Sequence, residues 1–169
     1  LVSYIVGLGI EFISAQLRGH EVSEGYLVSG LIIPLIIPIT TPLWMLALAV
    51  AFAVIIGKEI FGGTGMNIWN PALVARAFLF FAYPSHMSGD KVWVAGIDGF
   101  SGATPLAQTS EGLSSLHYSV SDMFFGFIPG SVGETSTLAI LLGAAFLIYT
   151  GIGSWKIMLS TVAGGLVMG

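Results

Sequence analysis

From Gly25 to Gly57 the chain carries no charged side chain, yet Pro34, Pro38 and Pro42 interrupt the run. That combination constrains the fold more than any other feature. A stretch this apolar belongs in lipid, while each proline removes a backbone donor and works against one straight helix. Two segments are expected, Gly25 to Ile37 and Leu43 to Ile56, each shorter than the roughly 20 residues of a straight span. Broken helices of this kind surround intramembrane sites. One long re-entrant hairpin is the alternative, and two spans are the preferred reading.

The rest of the chain has the same character. Of its 169 residues 55% are hydrophobic and 8% charged, where a soluble domain carries about 25% charged residues. The chain therefore reads as an all-α polytopic membrane protein. Six membrane segments are expected, at 1–17, 25–39, 42–57, 68–83, 137–151 and 155–169, with a long loop at 84–136. Gly62-Gly63-Thr64-Gly65 marks a break. Asn70 and Pro71 then suit an N-cap and first helical position, opening a helix that ends before Pro84. Within the loop, Met123 to Pro129 is apolar enough to lie at the bilayer surface. Trp44, Trp69, Trp93 and Trp155 stand near segment boundaries, as interfacial aromatics do. The chain opens and closes inside apolar runs without an initiator methionine, so it is expected to be an internal piece of a longer protein.

Five Lys and Arg are too few and too scattered for a surface that tracks phosphates, which argues against nucleic acid. With no cysteine, this segment cannot supply a disulfide, a thiol nucleophile or thiolate ligands to an iron–sulfur centre. His20, His86 and His117 lack metal-ligand spacing, so no histidine metal site is expected. If the turn at Arg18 is cytoplasmic, alternation puts Lys58 and Lys156 on the same side. The 85–136 interval, with five acids and one lysine, then lies outside.

The longest polar interval contains Asp98-Gly99-Phe100-Ser101-Gly102-Ala103-Thr104-Pro105. Local chemistry alone reads it as a turn, since Gly102 permits unusual backbone angles and Pro105 fixes its own φ. Its setting adds more. Gly57-Lys58-Glu59-Ile60-Phe61-Gly62-Gly63-Thr64-Gly65, then Asn67-Ile68-Trp69-Asn70-Pro71, then Arg76 to Pro84, Ser88-Gly89-Asp90 and Ser101 to Thr104 together resemble the B-subunit family of sodium-translocating NADH:quinone oxidoreductases. The D subunit of the Rnf ferredoxin-dependent complex is a weaker match.

This resemblance covers nearly the whole chain and carries definite implications. The fold would be a urea-transporter-like inverted repeat of helices, present here in part. FMN would be joined to Thr104 through a phosphoester, with Ser101, Gly102 and Ala103 as its slim neighbours. A flavin transferase acting outside the cytoplasm would attach it, which agrees with an outward-facing Thr104 loop in a bacterial inner membrane. A second flavin, non-covalent riboflavin, would meet Asn67 and Asn70; amide side chains donate and accept, as a flavin edge requires. Electrons would pass from FMN through riboflavin to quinone, coupled to sodium export, in a complex with other subunits and membrane lipid. Where a basic residue is expected after the last glycine of Gly-Gly-Thr-Gly, this chain has Met66. A flavin-free permease of the same fold is the rival from another functional class.

Glu11 and Arg76 are the ionisable residues most clearly inside membrane segments, where such groups cost at least a few kcal/mol unpaired. They could pair with each other or with carbonyls. Alternatively Glu11 lies on the sodium path, since a carboxylate suits a hard cation. Gly7-Leu8-Gly9 reads as helix packing.

Overall fold

The computed structural model describes residues 1–19, 21, 24–88, 105 and 118–168. Every regular element among the described residues is helical, with α1 Val2–Arg18, α2 Tyr26–Ile36, α3 Leu43–Gly57, α4 Pro71–Ala82, α5 Val120–Phe125, α6 Thr137–Tyr149 and α7 Trp155–Met168. Short 3-10 turns follow α3 at Glu59–Phe61 and α4 at Pro84–His86.

The first four helices pack together. α3 lies against both α1 and α4, and α2 bridges α1 and α4. Their shared core includes Tyr26, Ile33, Val50, Ala53, Val54, Ala75 and Leu79. The alanines allow the backbones of α3 and α4 to approach closely, as in lipid-embedded helix pairs. On α1 the buried residues are Ser3, Gly7, Glu11 and Ala15, a stripe at every fourth position along one helix face. Gly7 is required there because a Cβ would collide with the Tyr26 ring. Gly9 meets nothing within 4 Å, so only the first glycine of the pair serves packing.

Pro34 explains a contact that reaches across two helices. Having no N–H, it cannot bond the Gly30 carbonyl four residues earlier, and that carbonyl accepts instead from Ser3 Oγ at 2.9 Å. In lipid an orphan carbonyl must find a partner within the protein. The Tyr26 hydroxyl ties the same corner by donating to the Ser3 carbonyl at 3.0 Å. Ser3→Ala is expected to cost about 1–3 kcal/mol, the usual penalty for a buried acceptor left unsatisfied. Thermal unfolding of the detergent-solubilised full-length protein would measure it, and an unchanged midpoint would contradict this assignment.

Several boundaries differ from those expected. α2 stops at Ile36 because Pro38 pushes the preceding Ile37 into extended geometry, with φ −108° and ψ 147°. α4, by contrast, begins at Pro71 as expected, with Asn70 as its cap accepting from Ala72 N at 2.8 Å. The 84–136 stretch is not uniformly a loop. It contains α5, opened by a Ser119/Asp122 capping box. Residues 126–136 then fold back, with Gly133 N–H donating to the Leu35 carbonyl at 2.9 Å. Glu134 there pairs with Arg76 of α4 and accepts from Ser131 Oγ at 2.7 Å.

Leu43–Phe61, which joins α3 to its 3-10 turn, is 19 residues long and apolar enough to cross a membrane; α2, α4, α6 and α7 are shorter apolar helices. α6 and α7 have no buried residue. Leu142, Phe146, Ile157 and Leu166 all stand exposed on them, a surface that calls for lipid or further helices. An all-helical arrangement with this surface is consistent with a membrane protein.

Candidate functional site

Two places in the four-helix body bring together residues singled out by the sequence. The first surrounds the entry to α4. Gly62, Gly63 and Gly65 all have positive φ, at 115°, 94° and 89°, a conformation that side chains with a Cβ resist. These turns carry the chain from the end of α3 to Asn67. Asn67 Nδ2 donates to the Trp69 carbonyl at 3.0 Å, whereas Asn70 uses only its Oδ1 in the cap.

Beside Asn70 lies a pocket of about 680 Å³ between α3 and α4, walled by Phe52, Trp69, Leu73, Phe78 and Phe81. Phe52 and Phe78 stack with centroids 4.6 Å apart. Its volume falls within the range of small-molecule sites, and its few polar groups amid aromatic walls are typical of them. A flat aromatic ligand would find stacking surface on the walls and an amide at the edge. The structure brings Asn70 to this pocket and leaves Asn67 outside its lining, bracing the turn.

The second place is polar. Glu11 and Lys58 form an ion pair, each about 4% exposed. Glu11 therefore does not pair with Arg76, whose partner is Glu134. The fourfold spacing on α1 turns Glu11 inward, and Lys58 follows directly on the last residue of α3. Position beside the orphan carbonyls of a helix C-terminus favours a cation. The sequence presents Lys58 as a turn charge on the same side as Arg18, and the structure shows that its side chain is buried. The signal for this was an ionisable residue at the very end of an uncharged run, with a lone carboxylate in another apolar segment.

Only one Glu11 oxygen is used in this pair, and Oε2 is buried without a partner among the described residues. Glu11 also lines a polar pocket of about 270 Å³ with Ser14, Arg18, Glu59, Gly63 and Thr64. Ser14 Oγ donates to Glu59 Oε2 at 2.5 Å, and Arg18 Nη1 to the Glu59 carbonyl at 2.6 Å. Glu11, Ser14 and Arg18 share one face of α1 through their spacing of three and four residues. Among the described residues no group of three or more His, Asp or Glu is placed to hold a metal ion. A cation here would rely on carboxylate, hydroxyl and backbone oxygens together. Thr104, Ser101, Gly102 and Ala103, with Asp98, lie outside the described residues.

The sequence matches the family model described as NQR2, RnfD, RnfE over residues 1–169. It is 57% identical to the B subunit of the Na(+)-translocating NADH-quinone reductase of Chromohalobacter salexigens, over 97% of this chain and 40% of that protein. It is 53% identical to the protein of the same name from Pseudoalteromonas atlantica, over 98% and 42% respectively. For that of Yersinia pestis the figures are 51%, 96% and 41%. The chain thus spans about two fifths of the length of these relatives.

Proposed function

The chain belongs to the NQR2, RnfD, RnfE family, and from that premise we propose that it is part of the B subunit of a sodium-translocating NADH:quinone oxidoreductase. The observation that carries this reading is the identity of 51–57% to three proteins of that name, sustained over nearly the whole chain. The Rnf branch falls under the same family description, but the named relatives favour the sodium enzyme. The working unit is then a multi-subunit complex of the bacterial inner membrane, taking electrons from NADH to quinone.

Two flavins belong to the proposal, FMN esterified to Thr104 by an exported transferase and riboflavin held without a covalent bond. Bound flavins supply one- and two-electron chemistry, and the protein supplies position and electrostatics. The pocket between α3 and α4 fits the second of these. Phe52, Phe78 and Trp69 give flat apolar walls, and the Asn70 amide nitrogen, which the cap does not use, can donate to a ring carbonyl. Asn67 holds the Trp69 backbone so that this wall keeps its place. Gly102 and Ala103 leave room around the Thr104 hydroxyl for the transferase. Glu11, in its polar pocket, lies on the sodium path. The Arg18 end of α1 faces the cytoplasm, and the Thr104 interval faces outward. The fold is proposed to be the partial urea-transporter-like repeat.

Asn70→Ser tests the riboflavin pocket without confounding it with folding, because serine also caps helices well. Loss of one amide contact, worth about 1–1.5 kcal/mol, is expected to weaken non-covalent flavin binding roughly tenfold at an unchanged unfolding temperature. Flavin extracted from the assembled complex by acid would measure it. Full retention of riboflavin in this variant would remove Asn70 from the site.

A further inference from the structure

The proposed sodium path leaves Lys58 without a role, although its ammonium already occupies the carboxylate a sodium ion would use. We propose that Lys58 is a tethered competitor for Glu11, setting how much sodium is needed to load the site. The inference rests on the reading of Glu11 as part of the sodium path.

Glu11 and Lys58 come from separate elements, α1 and the residue after α3, and their pairing is buried. A Lys–Glu pair enclosed in this way offsets two desolvation costs, each several kcal/mol. One carboxylate oxygen nevertheless has no partner among the described residues, and Glu11 lines a pocket that also holds Ser14, Glu59 and Thr64. A buried acceptor left unsatisfied is costly, and a small monovalent cation would satisfy it. The cation and the ammonium carry the same charge and seek the same oxygens. Each therefore weakens the hold of the other on Glu11.

Lys58 also has somewhere to go. Its Nζ stands 5.9 Å from the centroid of the Tyr26 ring, at the reach of a cation–π contact. Tyr26 is fully buried and is held by Ser3, so this aromatic face is fixed. The remaining charges do not replace Lys58. Arg18 donates to the Glu59 carbonyl, and Glu21 and Glu59 add negative charge to the pocket lining.

The test is the sodium concentration for half-maximal quinone reduction, measured in the assembled complex carrying the full-length protein. Lys58→Met is expected to lower that concentration about tenfold, a coupling of about 1.4 kcal/mol. Lys58→Arg, which keeps the charge, is expected to leave it high. An unchanged or raised value in Lys58→Met overturns the inference. Glu11→Gln separates the two readings. If it shifts sodium dependence while Lys58→Met does not, Lys58 alone is misassigned; if Glu11→Gln has no effect, the Glu11 path and the inference fall together. Should Lys58→Met not assemble, the doubly neutral Glu11→Gln/Lys58→Met complex decides, since removing both charges of a buried pair is often tolerated. A lower value than in Glu11→Gln alone, whose amide oxygen Lys58 still occupies, supports the competition, and an equal or higher value overturns it.

Discussion

Thr104→Ala is expected to yield a chain without covalent flavin and to reduce sodium-dependent quinone reduction to background. Alanine lacks the hydroxyl oxygen through which the proposed phosphoester forms. Non-covalent flavin should remain, since Asn70 and its aromatic pocket belong to a different part of the chain. In-gel fluorescence for the covalent flavin, acid extraction for the other and quinone reductase assays would separate these effects. A permease of the same fold would tolerate the change completely, so retained activity would favour that rival.

Glu11→Gln should raise the sodium concentration for half-maximal turnover by tenfold or more. The substitution preserves shape, and its amide oxygen can still accept from Lys58. It removes the negative charge that draws a hard cation. It also leaves the Lys58 ammonium buried beside a neutral partner, and breaking such a pair costs about 3–5 kcal/mol. Loss of thermal stability should therefore accompany the kinetic effect. Low turnover at saturating sodium with unchanged sodium dependence would mark Glu11 as purely structural.

How far these sites could be read from sequence depends on the distance over which they are assembled. Asn70 and Pro71 are adjacent, and their cap follows from local chemistry, so the start of α4 was legible. So were the broken runs before and after Pro38, although the end of α2 fell at Ile36 because proline restricts its predecessor as well as itself. The Glu11–Lys58 contact joins residues 47 apart, and Arg76–Glu134 joins residues 58 apart. No local rule selects those partners from nine acids and five bases. The Ser3–Gly30 bond was half legible: Pro34 announces an orphan carbonyl, but only packing shows which donor meets it. Asn67 and Asn70 look equivalent in sequence as polar residues three apart. Helix geometry separates them, one capping α4 beside the pocket and the other bracing the turn. Thr104 differs from all of these. Its local sequence says only that a turn forms, and its chemistry came from resemblance across the surrounding motifs.

Mass spectrometry decides whether the chain carries the flavin proposed for it. The full-length protein, isolated from native membranes with its transferase active, would be weighed intact and then mapped by trypsin around Thr104. An added mass of one FMN less one water, localised to the Ser101 to Thr104 peptide, is the predicted result. An unmodified peptide from that host would contradict the relay and leave the flavin-free permease as the better account.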